Sequence, residues 1–129
     1  SRIHVAAVSM EDREVNATVV NAIQRVSSVV TQRSLIEAFG LTVAEAMWKK
    51  APVVASAVGG IRDQIDDGVD GVLVDPTDGV AWAEAVRDLL LFPERAQEMG
   101  LAAHESVRRE FLSNRHLQDL LQIVADLVG

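Results

Sequence analysis

Read as apolar and polar positions, the chain alternates short apolar runs with longer amphipathic stretches. Ile3–Val8 (IHVAAV), Ser28–Gln32 (SVVTQ), Val53–Ser56 (VVAS) and Gly71–Asp75 (GVLVD) are short and rich in β-branched or small apolar residues, which predicts four buried strands. Between the first two, Glu14–Val26 puts Val15, Val19, Ala22, Ile23 and Val26 at helical spacing. Thr42–Lys50 is also helical, with Ala44, Met47 and Trp48 apolar, and Pro52 stops it. A Gly59-Gly60 turn then leads to a short helical piece near Ile61–Ile65. The run DDGVDG that follows carries two Asp-Gly turn signals.

Beyond the fourth strand the pattern is helical throughout. Asp78 suits the cap of a helix reaching about Phe92, with Trp82, Val86, Leu89 and Leu90 inward. Pro93 suits the first turn of the next helix, to about Glu110. Ser113 can cap a last helix with Leu117, Leu120, Leu121, Val124 and Leu127 on one face. Strands alternating with helices predict an α/β domain with a parallel sheet covered on both faces. The closing helices read as a C-terminal extension of that unit. No internal repeat and no linker interrupts residues 1–129.

Composition narrows the function. The 129 residues make one domain, and 49% hydrophobic with 24% charged residues is a globular balance. A net charge of -7 disfavours nucleic acid and anionic membrane as partners. An anionic ligand can still be held by backbone N–H groups. The absence of Cys excludes disulfides, thiol nucleophiles and cysteine metal sites, and fits a cytoplasmic protein. No apolar run is long enough to span a bilayer, and the N-terminus lacks the long apolar stretch of a signal peptide.

Ligands of doubly wound sheets sit outside the carboxyl ends of the strands. Two segments run from such an end into a helix, Gln32–Thr42 and Ser56–Ile61. In the first, Gly40, Leu41 and Thr42 offer free N–H groups at a helix start, an arrangement suited to an anion. Glu37 and Glu45 flank it with seven residues between them. Carboxylates accept hydrogen bonds from vicinal hydroxyls, so the set fits a sugar phosphate or a nucleotide sugar. The same spacing also reads as a capping box, Thr42-x-x-Glu45, with Glu37 merely solvated. Gly59-Gly60 is either a second anion-binding nest or a tight turn needing positive φ.

Other chemistry finds little support. His4, His104 and His116 lack ligand spacing and read as surface or half-buried residues. The Asp63–Asp70 stretch has the acid density of a calcium loop, but Ile65 and Val74 occupy positions that need oxygen ligands. Ser34 and Ser56 lack the frame of a nucleophile elbow, and no catalytic residue is assigned. Trp48 and Trp82 read as core residues on apolar helix faces.

Glu37-Ala-Phe-Gly-Leu-Thr-Val-Ala-Glu45 resembles the E-x7-E signature of the retaining GT-B glycosyltransferases. With NAIQR, EAMWK and VGGI-x-x-QI, the run from Ser28 to Asp78 is similar to the trehalose synthase and trehalose phosphorylase branch. The resemblance implies a site between two Rossmann-like domains, the second of which binds the nucleotide-sugar donor. By matching positions, Glu45 would hold ribose hydroxyls and Glu37 hydroxyls of the donor sugar. The N–H groups of Gly40, Leu41 and Thr42 would meet phosphate or sugar. It further implies glucose transfer with retention, same-face attack, no protein nucleophile, and no cofactor or metal. A sugar acceptor would be the second partner in the intact enzyme.

Length is where the chain departs from that family. The acceptor half is absent, and the strand order 3-2-1-4-5-6 lacks its first two strands if Ile3–Val8 is the third. The expectation is an incomplete Rossmann-like C-terminal GT-B domain of about four parallel strands plus C-terminal helices. Residues 1–129 would be a partial nucleotide-sugar-binding domain, a truncated piece inactive alone. Ser28–Gln32 would carry an open edge, offering self-association into a homo-oligomer as a competing, non-catalytic role. Arg33 and Arg62 are candidates for partial compensation of donor charge, beside the ordinary reading of exposed Arg.

Overall fold

The computed structural model describes residues 4–8 and 11–110. Its elements follow the order α1 (Arg13–Val26), β1 (Val30–Gln32), α2 (Leu41–Trp48), β2 (Val53–Ser56), a 3₁₀ turn (Gly59–Ile61), β3 (Val72–Val74), α3 (Gly79–Leu91) and α4 (Pro93–Glu110). The three strands form a parallel sheet in the order β1-β2-β3. Val30 sits opposite Val53, and Val54 opposite Val72.

All four residues of β2 are buried, because both faces of the central strand are covered. Val53 and Ala55 point into one cluster with Val43, Met47, Ile61 and Val107. Val54 points the other way, into a cluster with Val74, Trp82, Leu89 and Met99. Helix α4 serves both, through Ala96 and Met99 early and Ala103 and Val107 late. It also packs tightly on the end of α2. A Cβ on Gly100 would lie 2.1 Å from the Lys50 carbonyl oxygen.

Several expectations need correction. Residues 4–8 form no strand, and Val5 is 93% exposed. A strand exists only as part of a ladder, and the described residues offer this segment no partner. The sheet therefore has three described strands where about four were expected. β1 and β3 are also shorter than Ser28–Gln32 and Gly71–Asp75. In α3, Trp82 and Leu89 are buried as expected, but Leu90 is 55% exposed. In α1, the apolar stripe is not the packed face: Val15, Ile23 and Val26 are exposed, and the buried residue is Gln24. Trp48 is 40% exposed and stacks on His104 with ring centroids 4.4 Å apart. The predicted last helix, from Ser113 through Leu117, Leu120, Leu121, Val124 and Leu127, lies outside the described residues, as does His116.

Candidate functional site

The segment between β1 and α2 leaves the carboxyl end of the sheet and turns back into the helix start. Its first fixed point is local to the strand ends. The Ser34 N–H donates to Ser56 Oγ over 2.9 Å, and Ser56 is fully buried at the end of β2. Gln32 Nε2 donates to Ser34 Oγ at 2.9 Å. The loop then passes directly over the Gly59-Gly60 turn. A Cβ on Gly59 would lie 1.8 Å from the Glu37 carbonyl oxygen, and one on Gly60 would lie 2.3 Å from that of Ala38. Gly59 also has φ +47°. The second glycine pair is therefore the floor against which the first loop packs, and its glycines are required by close backbone approach.

Gly40 ends the loop with φ 78° and ψ 53°, the left-handed region, and is the residue from which α2 starts. Its carbonyl oxygen accepts from the N–H of Val43 at 3.0 Å and of Ala44 at 3.2 Å. Thr42 lies inside the helix, and no side chain caps α2. The capping-box reading of Thr42 and Glu45 is thereby overturned: the left-handed glycine moves the helix start two residues earlier. The N–H groups of Gly40, Leu41 and Thr42 have no acceptor among the described residues. They stand at the positive end of the helix dipole.

Glu37 is half-buried beside Gly40, with its Cγ 3.5 Å from where a Gly40 Cβ would be. Glu45 is exposed, more than one turn into α2. It lines a cleft of about 470 Å³ between α1 and α2, together with Asn16, Ala17, Val20, Asn21 and Lys49. Neither carboxylate has an ion-pair or hydrogen-bond partner among the described residues. Leu41 and Thr42 are exposed at the helix start.

Two buried glutamines brace this region, and the sequence reading assigned them no role. Gln24 of α1 donates from Nε2 to the Thr42 carbonyl at 3.3 Å, and its Oε1 accepts from the Lys49 ammonium. Gln64, after the 3₁₀ turn, donates from Nε2 to the Phe39 carbonyl. Their signal in the sequence was their place inside NAIQR and VGGI-x-x-QI.

The arginines are anchored through Nε to backbone carbonyls. Arg33 donates to Pro76 at 2.9 Å and lies over the Trp82 ring, 5.5 Å from its centroid. Arg62 donates to Ala57 at 2.5 Å. The acid-rich stretch serves turns: Asp70 Oδ1 accepts from the Asp66 N–H and Asp67 Oδ1 from the Leu73 N–H, both at 2.8 Å. His104 Nδ1 faces the Trp48 carbonyl at 2.5 Å, which requires the proton on that nitrogen. Among the described residues no group of three or more His, Cys, Asp or Glu is placed to hold a metal ion. No described helix is long and apolar enough to cross a membrane.

Residues 13–106 match the family described as Glycosyl transferases group 1. A trehalose synthase from Pyrococcus horikoshii is 49% identical over 115 residues, which is 89% of this chain and 27% of that protein. The chain thus spans about a quarter of the length of this relative. Among solved structures, the sucrose-phosphate synthase of Thermosynechococcus elongatus superposes with a TM-score of 0.75 at 32% identity, over 94% of this chain and 29% of the other. Anabaena HepE in complex with UDP-glucose shares the fold with a TM-score of 0.71 at 22% identity, over 80% of this chain and 29% of the other.

Proposed function

The chain belongs to the group 1 glycosyl transferases, and on that premise we propose that it is the donor-binding part of a retaining glucosyltransferase. The reaction moves glucose from a nucleoside diphosphate to a sugar acceptor, as in trehalose synthesis. One observation carries the reading: three unpaired N–H groups at a glycine-initiated helix start, flanked by two unpaired carboxylates. Gly40, Leu41 and Thr42 meet the donor phosphate or sugar, where helix-end N–H groups favour negative charge. Glu45 accepts from the ribose hydroxyls, and Glu37 from hydroxyls of the glucose.

In the reaction the bond from the anomeric carbon to the phosphate oxygen breaks. A bond from that carbon to the acceptor oxygen forms on the same face, and the acceptor proton passes to the departing phosphate. No side-chain nucleophile, metal or cofactor enters this scheme. The acceptor half of such an enzyme is not among these residues, so turnover by this chain alone is not expected. A cytoplasmic setting suits a Cys-free chain whose donor would be a nucleotide sugar.

Calorimetric titration with UDP-glucose tests the reading. The chain should bind it, and Glu45→Gln should weaken binding roughly tenfold or more, as expected for a lost charge-assisted hydrogen bond. The thermal midpoint should stay unchanged, because Glu45 is exposed and unpaired. A wild-type chain with no affinity for UDP-glucose overturns it. The edge position of β1 favours a second reading, self-association through that strand. Stable oligomers without nucleotide affinity would select it.

A further inference from the structure

Gln64 is 6% exposed, and its side-chain amide reaches the carbonyl of Phe39. That carbonyl belongs to the peptide unit whose N–H is that of Gly40. The unit is trans, as are all described peptide bonds. In a trans peptide the C=O and N–H point in opposite directions. Holding the Phe39 oxygen against the buried Gln64 amide therefore turns the Gly40 N–H away from the Gln64 side chain. A free left-handed glycine offers little resistance to rotation of this unit, so its orientation has to be imposed from outside. We propose that Gln64 is a positioning residue that aims the Gly40 N–H at the anionic group of the bound donor. The proposal rests on the donor-binding reading and names a further residue for it.

A second observation supports this. Gln64 Oε1 is buried and has no hydrogen-bond partner. Rotating the amide would not relieve it, because Oε1 would then face the Phe39 oxygen, acceptor against acceptor. A buried orphan acceptor is a cost that an apolar side chain of the same length would avoid. Glutamine here makes sense for what its NH₂ group does at Phe39. Gly59 and Gly60 approach the backbone of Glu37–Phe39 too closely for a Cβ, but neither constrains the rotation of the Phe39–Gly40 unit by a hydrogen bond.

The test compares the wild-type full chain with Gln64→Met and Gln64→Glu, using UDP as probe. Affinity is read by calorimetry, stability by thermal melting, and the Gly40 amide by ¹H–¹⁵N NMR. In the wild type, UDP should shift the Gly40 amide together with those of Leu41 and Thr42. Gln64→Met should bind UDP roughly tenfold more weakly and lose the Gly40 response, while melting no lower than wild type. Gln64→Glu keeps the shape but presents an acceptor to the Phe39 carbonyl, and should weaken binding at least as much. A residue that only stabilised the fold would instead lower the melting midpoint and leave affinity intact.

Equal affinity in wild type and both variants overturns the proposal. So does a wild-type Gly40 amide that ignores UDP while Leu41 and Thr42 respond, a result that needs no variant to fold. A wild type that does not bind UDP at all overturns the donor-binding reading itself.

Discussion

The loop before α2 and the turns around β3 are both irregular, glycine-bearing connections, yet they are held in opposite ways. Around β3 the chain holds itself. Asp75 accepts from the N–H and hydroxyl of Thr77, at 2.7 and 2.6 Å. Asp78 caps α3 by accepting from Val80 and Ala81 at 3.1 and 2.9 Å. Asp70 and Asp67 close the turn ahead of the strand. Each of these carboxylates finds its partner within six residues, and Arg33 adds a distant hold on the Pro76 carbonyl. The loop before α2 borrows its shape from elsewhere: from Ser56, from Gly59 and Gly60, and from Gln64. A self-held turn leaves its side chains occupied. A loop held from behind leaves its own carboxylates and N–H groups unspent, which is what a ligand site needs.

A pair of glycines gives the largest effect and the sharpest comparison. Gly59 and Gly68 are both left-handed, with φ +47° and +80°. Gly59→Ala drives a Cβ into the Glu37 carbonyl, whereas a Cβ on Gly68 meets nothing within 4 Å. In urea unfolding, Gly59→Ala should cost about 3 kcal/mol or more, against about 1 kcal/mol of backbone strain for Gly68→Ala. Equal costs would mean that the borrowed shape is not rigid.

Next comes Asp78→Ala, which should cost about 1 kcal/mol by the same measurement, as for an ordinary N-cap. It should leave nucleotide affinity unchanged, because the Asp78 carboxylate bonds to Val80 and Ala81, while the link from this turn to the loop before α2 runs through Arg33 and the Pro76 carbonyl. Weakened binding would show that the two regions are coupled.

The smallest effect is a pH dependence. The Thr77 hydroxyl and N–H hold the Asp75 carboxyl below its ordinary value of 3.8, with the Arg62 charge adding to them. A lowered folded-state value contributes stability above the ordinary value and loses it as pH falls through the lowered one. Thr77→Val should therefore be slightly less stable than wild type at neutral pH, with the difference vanishing in acid below both values. A difference that instead grows toward acid would assign Asp75 another partner.

The sequence by itself determined the parts whose physics is local. The Asp78 cap and Pro93 start of the last two described helices fall where the pattern put them, because caps and prolines act within one turn. The four-residue run Val53–Ser56 is the buried central strand its apolar continuity predicted. The place of Glu37–Glu45 between a strand end and a helix start drew attention to it, and the family that this segment resembles is the one whose description residues 13–106 match. Tertiary structure decided what depends on who is nearby. It left residues 4–8 without a ladder, because a strand cannot be specified apart from its neighbour. It buried Gln24 in place of the apolar face of α1, because the Thr42 carbonyl of α2 and the ammonium of Lys49 just after it stood within reach of its amide. It made Gly40 the start of α2 instead of Thr42, because Ile61 leaves no room for a Cβ there: one would lie 2.8 Å from Ile61 Cγ1, and the φ is one that glycine adopts freely. Spacing along the chain records which residues share a helix face; only packing says which backbone groups remain unpaired when the helix begins.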